Sequence, residues 1–340
     1  MILNERINYE ITELIEKDRI TAAEHLCSVL KAKESKKSVS VSGLPSYYFG
    51  DRNAKTVVIN LNPGISVNES ERHWKKEKKS IFKHSIDIEE FIISYHQRQR
   101  NFGNSEIYHT DSFDVKQAAF LTPWEDNGIQ LPINPDWENE STQDIAARNV
   151  ISNKLQLELV PYASASFEIN PSGDIKLLFP YIDTLLDEIF SKERKYIIFA
   201  SSKFEKIFRL YNKECKEIFD LSNPVSQTQE PLKDGGSLHG QCKVIHIKHN
   251  GETRKALIAH TFPSQAIGRA YSLMQKYGKF CYSEYTLSKN SASIRIDPEL
   301  KSLFDQTCEQ LGLSAEIAIE NFIKEVIQHG KIPCCTEIAH

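Results

Sequence analysis

The sequence predicts an α/β protein, a three-layer α/β/α domain around a mostly parallel central sheet, with a small module of another kind at its C-terminus. Three observations carry that expectation. Short β-branched runs alternate with stretches of helical apolar spacing, the pattern of strands joined by crossover helices. The 340 residues suit about two domains at ~150 residues each. From residue 290 onward one short alternating strand is followed by two helical patterns, too little to bury its own apolar faces. The expected boundaries are an N-terminal helical segment over 1–40, the α/β domain over 41–288 and the C-terminal module over 289–340.

Taken in chain order, Ile7, Ile11, Leu14, Ala23, Leu26 and Leu30 recur at helical spacing and predict a helix or helix pair within 6–32. The polar stretch KAKESKKSVSVSG then breaks the pattern as a linker. TVVINL, Thr56 to Leu61, reads as a buried strand bounded by turn residues. QAAFL (117–121), LQLELV (155–160), KYIIFA (195–200), KVIHI (243–247) and KALIAH (255–260) read as further strands, and helical patterns fall at 86–100, 175–189, 203–211 and 265–277. In open sheets of this kind ligands bind beyond the carboxyl ends of the strands, so chemistry is sought in the loops there. In the C-terminal module Asp297-Pro298 opens a helix through Leu311, Gly312 ends it, and Ser314 caps a second helix reaching Gln328.

Composition excludes several classes. A 40% hydrophobic and 26% charged chain has ordinary globular proportions, which excludes a mostly disordered protein. The formal net charge of -4 excludes a surface coated uniformly with Lys and Arg, so a polyanion would have to meet a local basic patch. No apolar run approaches the ~20 residues needed to cross a bilayer, and MILNERINYE has no apolar signal core. A cytoplasmic protein without membrane partners is expected. Seven cysteines with no CxxC pair and no His/Cys ligand spacing point to neither a disulfide framework nor a zinc site. No metal or other cofactor is expected.

Two strand-end loops stand out. After the first strand comes Asn60-Leu61-Asn62-Pro63-Gly64, which is also simply good turn chemistry. The strand KALIAH runs into His260-Thr261-Phe262-Pro263-Ser264, with Gln265 starting a helix. An Asn from one loop and a His from the other would flank one pocket if their strand ends are neighbours. Directly after the first loop, Arg72, Lys75, Lys76, Lys78, Lys79 and Lys83 are interleaved with Trp74 and Phe82. Such a run is either a solvated face or a phosphate-contacting one.

These residues carry a family resemblance. INLNPGIS looks like the first motif of the uracil-DNA glycosylase superfamily, particularly its mismatch-specific and single-strand-selective branches. His260 to Ser264 is similar to that superfamily's His-Pro-Ser motif, with two extra residues between His and Pro. The resemblance spans roughly 40–285 and implies a glycosylase-like fold that hydrolyses the bond between a base and its sugar in DNA, double- or single-stranded, and leaves an abasic site. Cleavage builds positive charge on the sugar and negative charge on the departing base. Asn62 would then orient a water, and His260 would donate a hydrogen bond to the base. Asn60, Pro63 and Gly64 would shape the base pocket, with Phe262 and Trp74 stacking on the extruded base. Ser264, the helix start at Gln265, and Lys75, Lys76 and Lys79 would hold phosphate, while Ile267 or Arg269 would fill the gap left by the flipped nucleotide.

Where uracil-specific relatives place an aromatic ring against C5 of the pyrimidine, this chain has Gly64, so C5-substituted bases, such as those of some bacteriophage DNA, would be admitted in an antiviral role. Glu158 either accepts from an exocyclic amine, as Glu does from cytosine, or is a solvent-facing strand position. The four cysteines that hold an iron–sulfur centre in some branches are missing, since Cys27 is the only one before Cys215.

The segment SASIRIDPEL through HGKIP is similar to a ribbon-helix-helix module of the RelB/DinJ antitoxin kind. That resemblance implies a homodimer in which two strands form an antiparallel ribbon, with Ser291, Ser293 and Arg295 facing outward toward DNA and Ile294 and Ile296 facing the dimer core. It also implies a toxin-like protein partner. A dimerisation module that never touches DNA, a catalytically silent glycosylase-like regulator, and a hydrolase of another nucleoside-like substrate are the competing readings.

Overall fold

The computed structural model describes residues 2–31, 38–105, 110–164, 167–215, 217–231, 237–262, 270–287 and 298–329. The chain divides into two units, Met1–Ser288 and Lys289–His340.

The first unit is built on strands β1 (Tyr48–Gly50), β2 (Thr56–Asn60), β3 (Leu155–Glu158), β4 (Tyr196–Phe199), β5 (Phe219–Asp220), β6 (Ser226–Pro231), β7 (Ser237–His249) and β8 (Glu252–Ala259). They form one sheet in the order β1-β3-β2-β4-β8-β7-β5, with β6 also on β7. β3, β2, β4 and β8 are parallel. β1 runs antiparallel on β3, and β7 runs antiparallel to β8, β5 and β6. The sheet is therefore mixed, not mostly parallel. Beyond β8 the pairing turns antiparallel because Asn250 and Gly251, at φ 50° and 83°, reverse the chain between β7 and β8 in two residues, whereas a parallel connection would need a crossover.

Alternation along the strands separates two apolar cores. Val57 and Ile59 face one side, in a core shared with Ile7 and Leu14 of α1 (Leu3–Lys17), Leu26 of α2 (Thr21–Leu26), Ile182 of α7 (Phe179–Phe190) and Phe204 of α8 (Lys203–Glu214). Trp74 of α3 (Val67–His84) and Phe91 of α4 (Ile88–Arg100) belong to the same core. The N-terminal segment thus contributes to the α/β core. Val58 faces the other side, with Phe120 of α5 (Ser112–Leu121), Val150 of α6 (Glu140–Asn153) and Met274 of α9 (Tyr271–Leu287). Residues 117–121, expected as a strand, are the last turns of α5. From Asp114 to Leu121 every residue is buried, so no polar face betrays the helical period.

In the second unit α10 (Pro298–Gln310) and α11 (Ala315–His329) are joined through Gly312, whose φ of 68° closes the first helix. Ser314 Oγ accepts from the Ile317 amide at 3.3 Å and starts the second. The expected ribbon strand, with Ser291, Ser293, Ile294, Arg295 and Ile296, lies outside the described residues.

Candidate functional site at the carboxyl edge of the sheet

Register brings the expected loops to one edge. Asn60 pairs with Glu158 across β2 and β3, Ile59 pairs with Phe199 of β4, and Phe199 pairs with Ile258 of β8. The strands carrying Asn62 and His260 are thus both bonded to β4, about 9.5 Å apart at the spacing of neighbouring strands.

Asn62 is pinned by its amide. Nδ2 donates to the carbonyls of Pro63 at 3.0 Å and Ser164 at 3.2 Å. Both partners are acceptors, which fixes the orientation of the amide and leaves Oδ1 with no donor among the described residues. Pro63 is buried, whereas Gly64 is exposed and a Cβ there would meet nothing within 4 Å.

His260 turns to the α8 side of the sheet. Its Nε2 lies 3.4 Å from Glu205 Oε2, out of hydrogen-bond alignment. Lys243 Nζ and Arg209 Nη2 hold the other Glu205 oxygen at 2.9 and 2.6 Å. Burial is the largest influence on the imidazole and lowers its pKa, with Glu205 opposing and Lys243 reinforcing. Phe262 turns to the opposite face and packs edge-on to Phe120 at 4.5 Å, buried in the second core. Ser264, Gln265, Ile267 and Arg269 lie outside the described residues, as does the first turn of the helix expected from 265.

On the α5 side lies a buried polar row that the sequence reading missed. Lys154 Nζ donates to Gln156 Oε1 at 2.6 Å, and Gln156 Nε2 and Asn60 Nδ2 donate to Glu158 Oε1 at 2.8 and 3.1 Å. Glu158 is only 2% exposed, which rules out the solvent-facing alternative. Burial pushes its carboxyl up to about 7, and burial lowers the Lys154 ammonium to about 8. Glu158 Oε2 has no hydrogen-bond partner among the described residues. The alternation of Lys154, Gln156 and Glu158 was legible in LQLE and its flank, but a polar-every-second pattern ordinarily marks a wet face.

Trp74 is buried, its Nε1 donating to Asp18 Oδ1 at 2.8 Å and its ring edge-on to Phe91. It is a wall and not an open stacking platform. Lys75, Lys76 and Lys79 are exposed on the same helix. Ser70, His73, Trp74 and Glu77 share the face toward a cavity of about 540 Å³ between α3 and α4, which the sequence reading also missed. The cavity touches the Asn62 loop through Ile65 and touches Ala163, the neighbour of the carbonyl that pins Asn62.

Residues 289–338 match the family model of the RelB antitoxin. No curated protein and no solved structure matches the chain. Among the described residues no helix is long and apolar enough to cross a membrane, and no cluster of three or more His, Cys, Asp or Glu is disposed to hold a metal ion.

Proposed function

We propose that the first unit hydrolyses the N-glycosidic bond of an extruded, C5-substituted pyrimidine in DNA. The observation that carries this reading is Asn62: an amide on a strand-end loop, pinned by two carbonyls so that its oxygen faces no donor among the described residues, beside a cavity of small-molecule size. An amide oxygen accepts a hydrogen bond from water and orients it without acting as a base, so most of the barrier would fall through stabilisation of the leaving base. Glu158 supplies the polar edge for the base, its unpartnered oxygen accepting from an exocyclic amine. The reading rests on these two residues and not on His260, whose ring turns to the α8 side of the sheet with Nε2 3.4 Å from Glu205 Oε2. Lys75, Lys76 and Lys79 would meet backbone phosphate. The C-terminal segment is read as a ribbon-helix-helix module that pairs with a second copy.

The test is incubation of the full-length protein with DNAs carrying uracil, 5-hydroxymethylcytosine and larger C5-substituted cytosines, scoring abasic sites in single-turnover assays. Asn62→Ala should slow release by about 100-fold while leaving DNA affinity nearly unchanged. An Asn62→Ala rate equal to that of the parent would remove Asn62 from the mechanism. A second reading, a catalytically silent regulator with a toxin-like partner, is favoured by the RelB match over 289–338. It predicts no base release from any of these DNAs.

A further inference from the structure

The cavity between α3 and α4 has a chemistry of its own. Its volume of about 540 Å³ exceeds what a pyrimidine ring fills and falls in the ~300–1,000 Å³ range of small-molecule sites. Among the described residues the only formally charged side chains on its wall are Glu77 and Arg98, and they are hydrogen-bonded to one another. A phosphate would find its cation already neutralised and a carboxylate beside it. The rest of the polar lining is the His73 imidazole, the Trp74 indole, and a majority of amides and hydroxyls, including Gln99, whose Oε1 is buried without a hydrogen-bond partner among the described residues. Phe49 and Phe102, 5.1 Å apart, supply an aromatic wall.

Amides that give and take hydrogen bonds, beside aromatic faces and with the described charges paired to one another, suit a neutral group carrying many hydroxyls. Gly64, where a Cβ would meet nothing within 4 Å, directly precedes Ile65 of the wall. We propose that this cavity binds a hexose-sized, hydroxyl-rich substituent carried on C5 of the target pyrimidine. The attachment to the base rests on the excision reading; the sugar chemistry rests on the cavity alone.

The test uses the full-length protein and two nucleosides, 5-hydroxymethyl-2′-deoxycytidine and its 5-O-glucoside, titrated calorimetrically. The glucoside is expected to bind at least ~10-fold more tightly, the worth of one or two net hydrogen bonds. Gln99→Leu, nearly isosteric, should erase that difference without changing the affinity for the unglucosylated nucleoside. Gly64→Tyr should weaken the glucoside far more than its parent; the open space at this position keeps the fold intact. Equal binding of both nucleosides, or an undiminished preference in Gln99→Leu, would overturn the assignment. Base release without sugar preference would leave the excision reading standing and sink the cavity proposal. Sugar-selective binding without any base release would do the reverse.

Discussion

Glu158 illustrates how one buried side chain ties the site to stability. Its carboxyl is raised from the ordinary 4.5 to about 7, with burial as the largest cause. The folded protein therefore keeps a proton there that the unfolded chain has already lost, and its stability falls as pH rises from about 4.5 through about 7, then levels. Glu158→Gln removes that dependence. The variant should match the parent near pH 4.5 and exceed it by about 3 kcal/mol at pH 8, measured by urea unfolding at both values. Glu10, also raised to about 7 by burial, should retain part of the slope in the variant. A variant less stable than the parent at pH 8 would mean that Glu158 is ionised in the fold and held by Asn60 and Gln156. The residue-level reading of the sequence singled out Asn62 in a strand-end loop and Glu158 within the expected strand 155–160. It did not find Gln99 or Glu77, since a cavity between two helices is a tertiary meeting that neither helix announces.

The packing of α5 against α9 depends on one glycine. A Cβ on Gly278 would lie 2.0 Å from the Phe120 carbonyl oxygen, so the two helices approach at backbone distance. Alanine is the better helix former by ~0.5–1 kcal/mol, but overpacking typically costs ~1–3 kcal/mol. The clash is with main chain and cannot rotate away, so it should win: Gly278→Ala is expected to lower stability by about 2 kcal/mol, read as a fall in thermal midpoint. A rise would show that α9 slides freely. The same packing explains why α5 reads as a strand in sequence. QAAFL is buried on every side by α6, α9 and the sheet, which erases the polar stripe that identifies a helix. β2, β4 and β8 were legible because each apolar run is short and bounded by turn residues. The β7–β8 hairpin had its signal in Asn250-Gly251, but strands alternating with helices suggested mostly parallel pairing.

For the whole molecule, the unit boundary at 288 and 289 coincides with the change in sequence pattern. Both apolar cores of the first unit lie within residues 3–285, so removing 289–340 should leave it folded by far-UV circular dichroism. Along α10 and α11, Leu300, Leu303, Ile317, Phe322, Ile323 and Ile327 are exposed, an apolar surface that a second copy would cover. Truncation at 288 is accordingly expected to convert a dimer into a monomer in light scattering, and a dimer that persists would place the interface in the first unit. The sheet order has one further consequence, for the order of events during synthesis. β2 is flanked by β3, which begins at Leu155, and β4, which begins at Tyr196. At ~5–20 residues per second the first partner follows β2 off the ribosome by roughly 5–20 s. Thr56 to Asn60 must wait unpaired through that interval, whereas β7 and β8 can close their hairpin within ~1–10 μs of emerging. The edge that carries Asn62 is therefore assembled late, and the nascent chain is most exposed to aggregation before residue 155 appears.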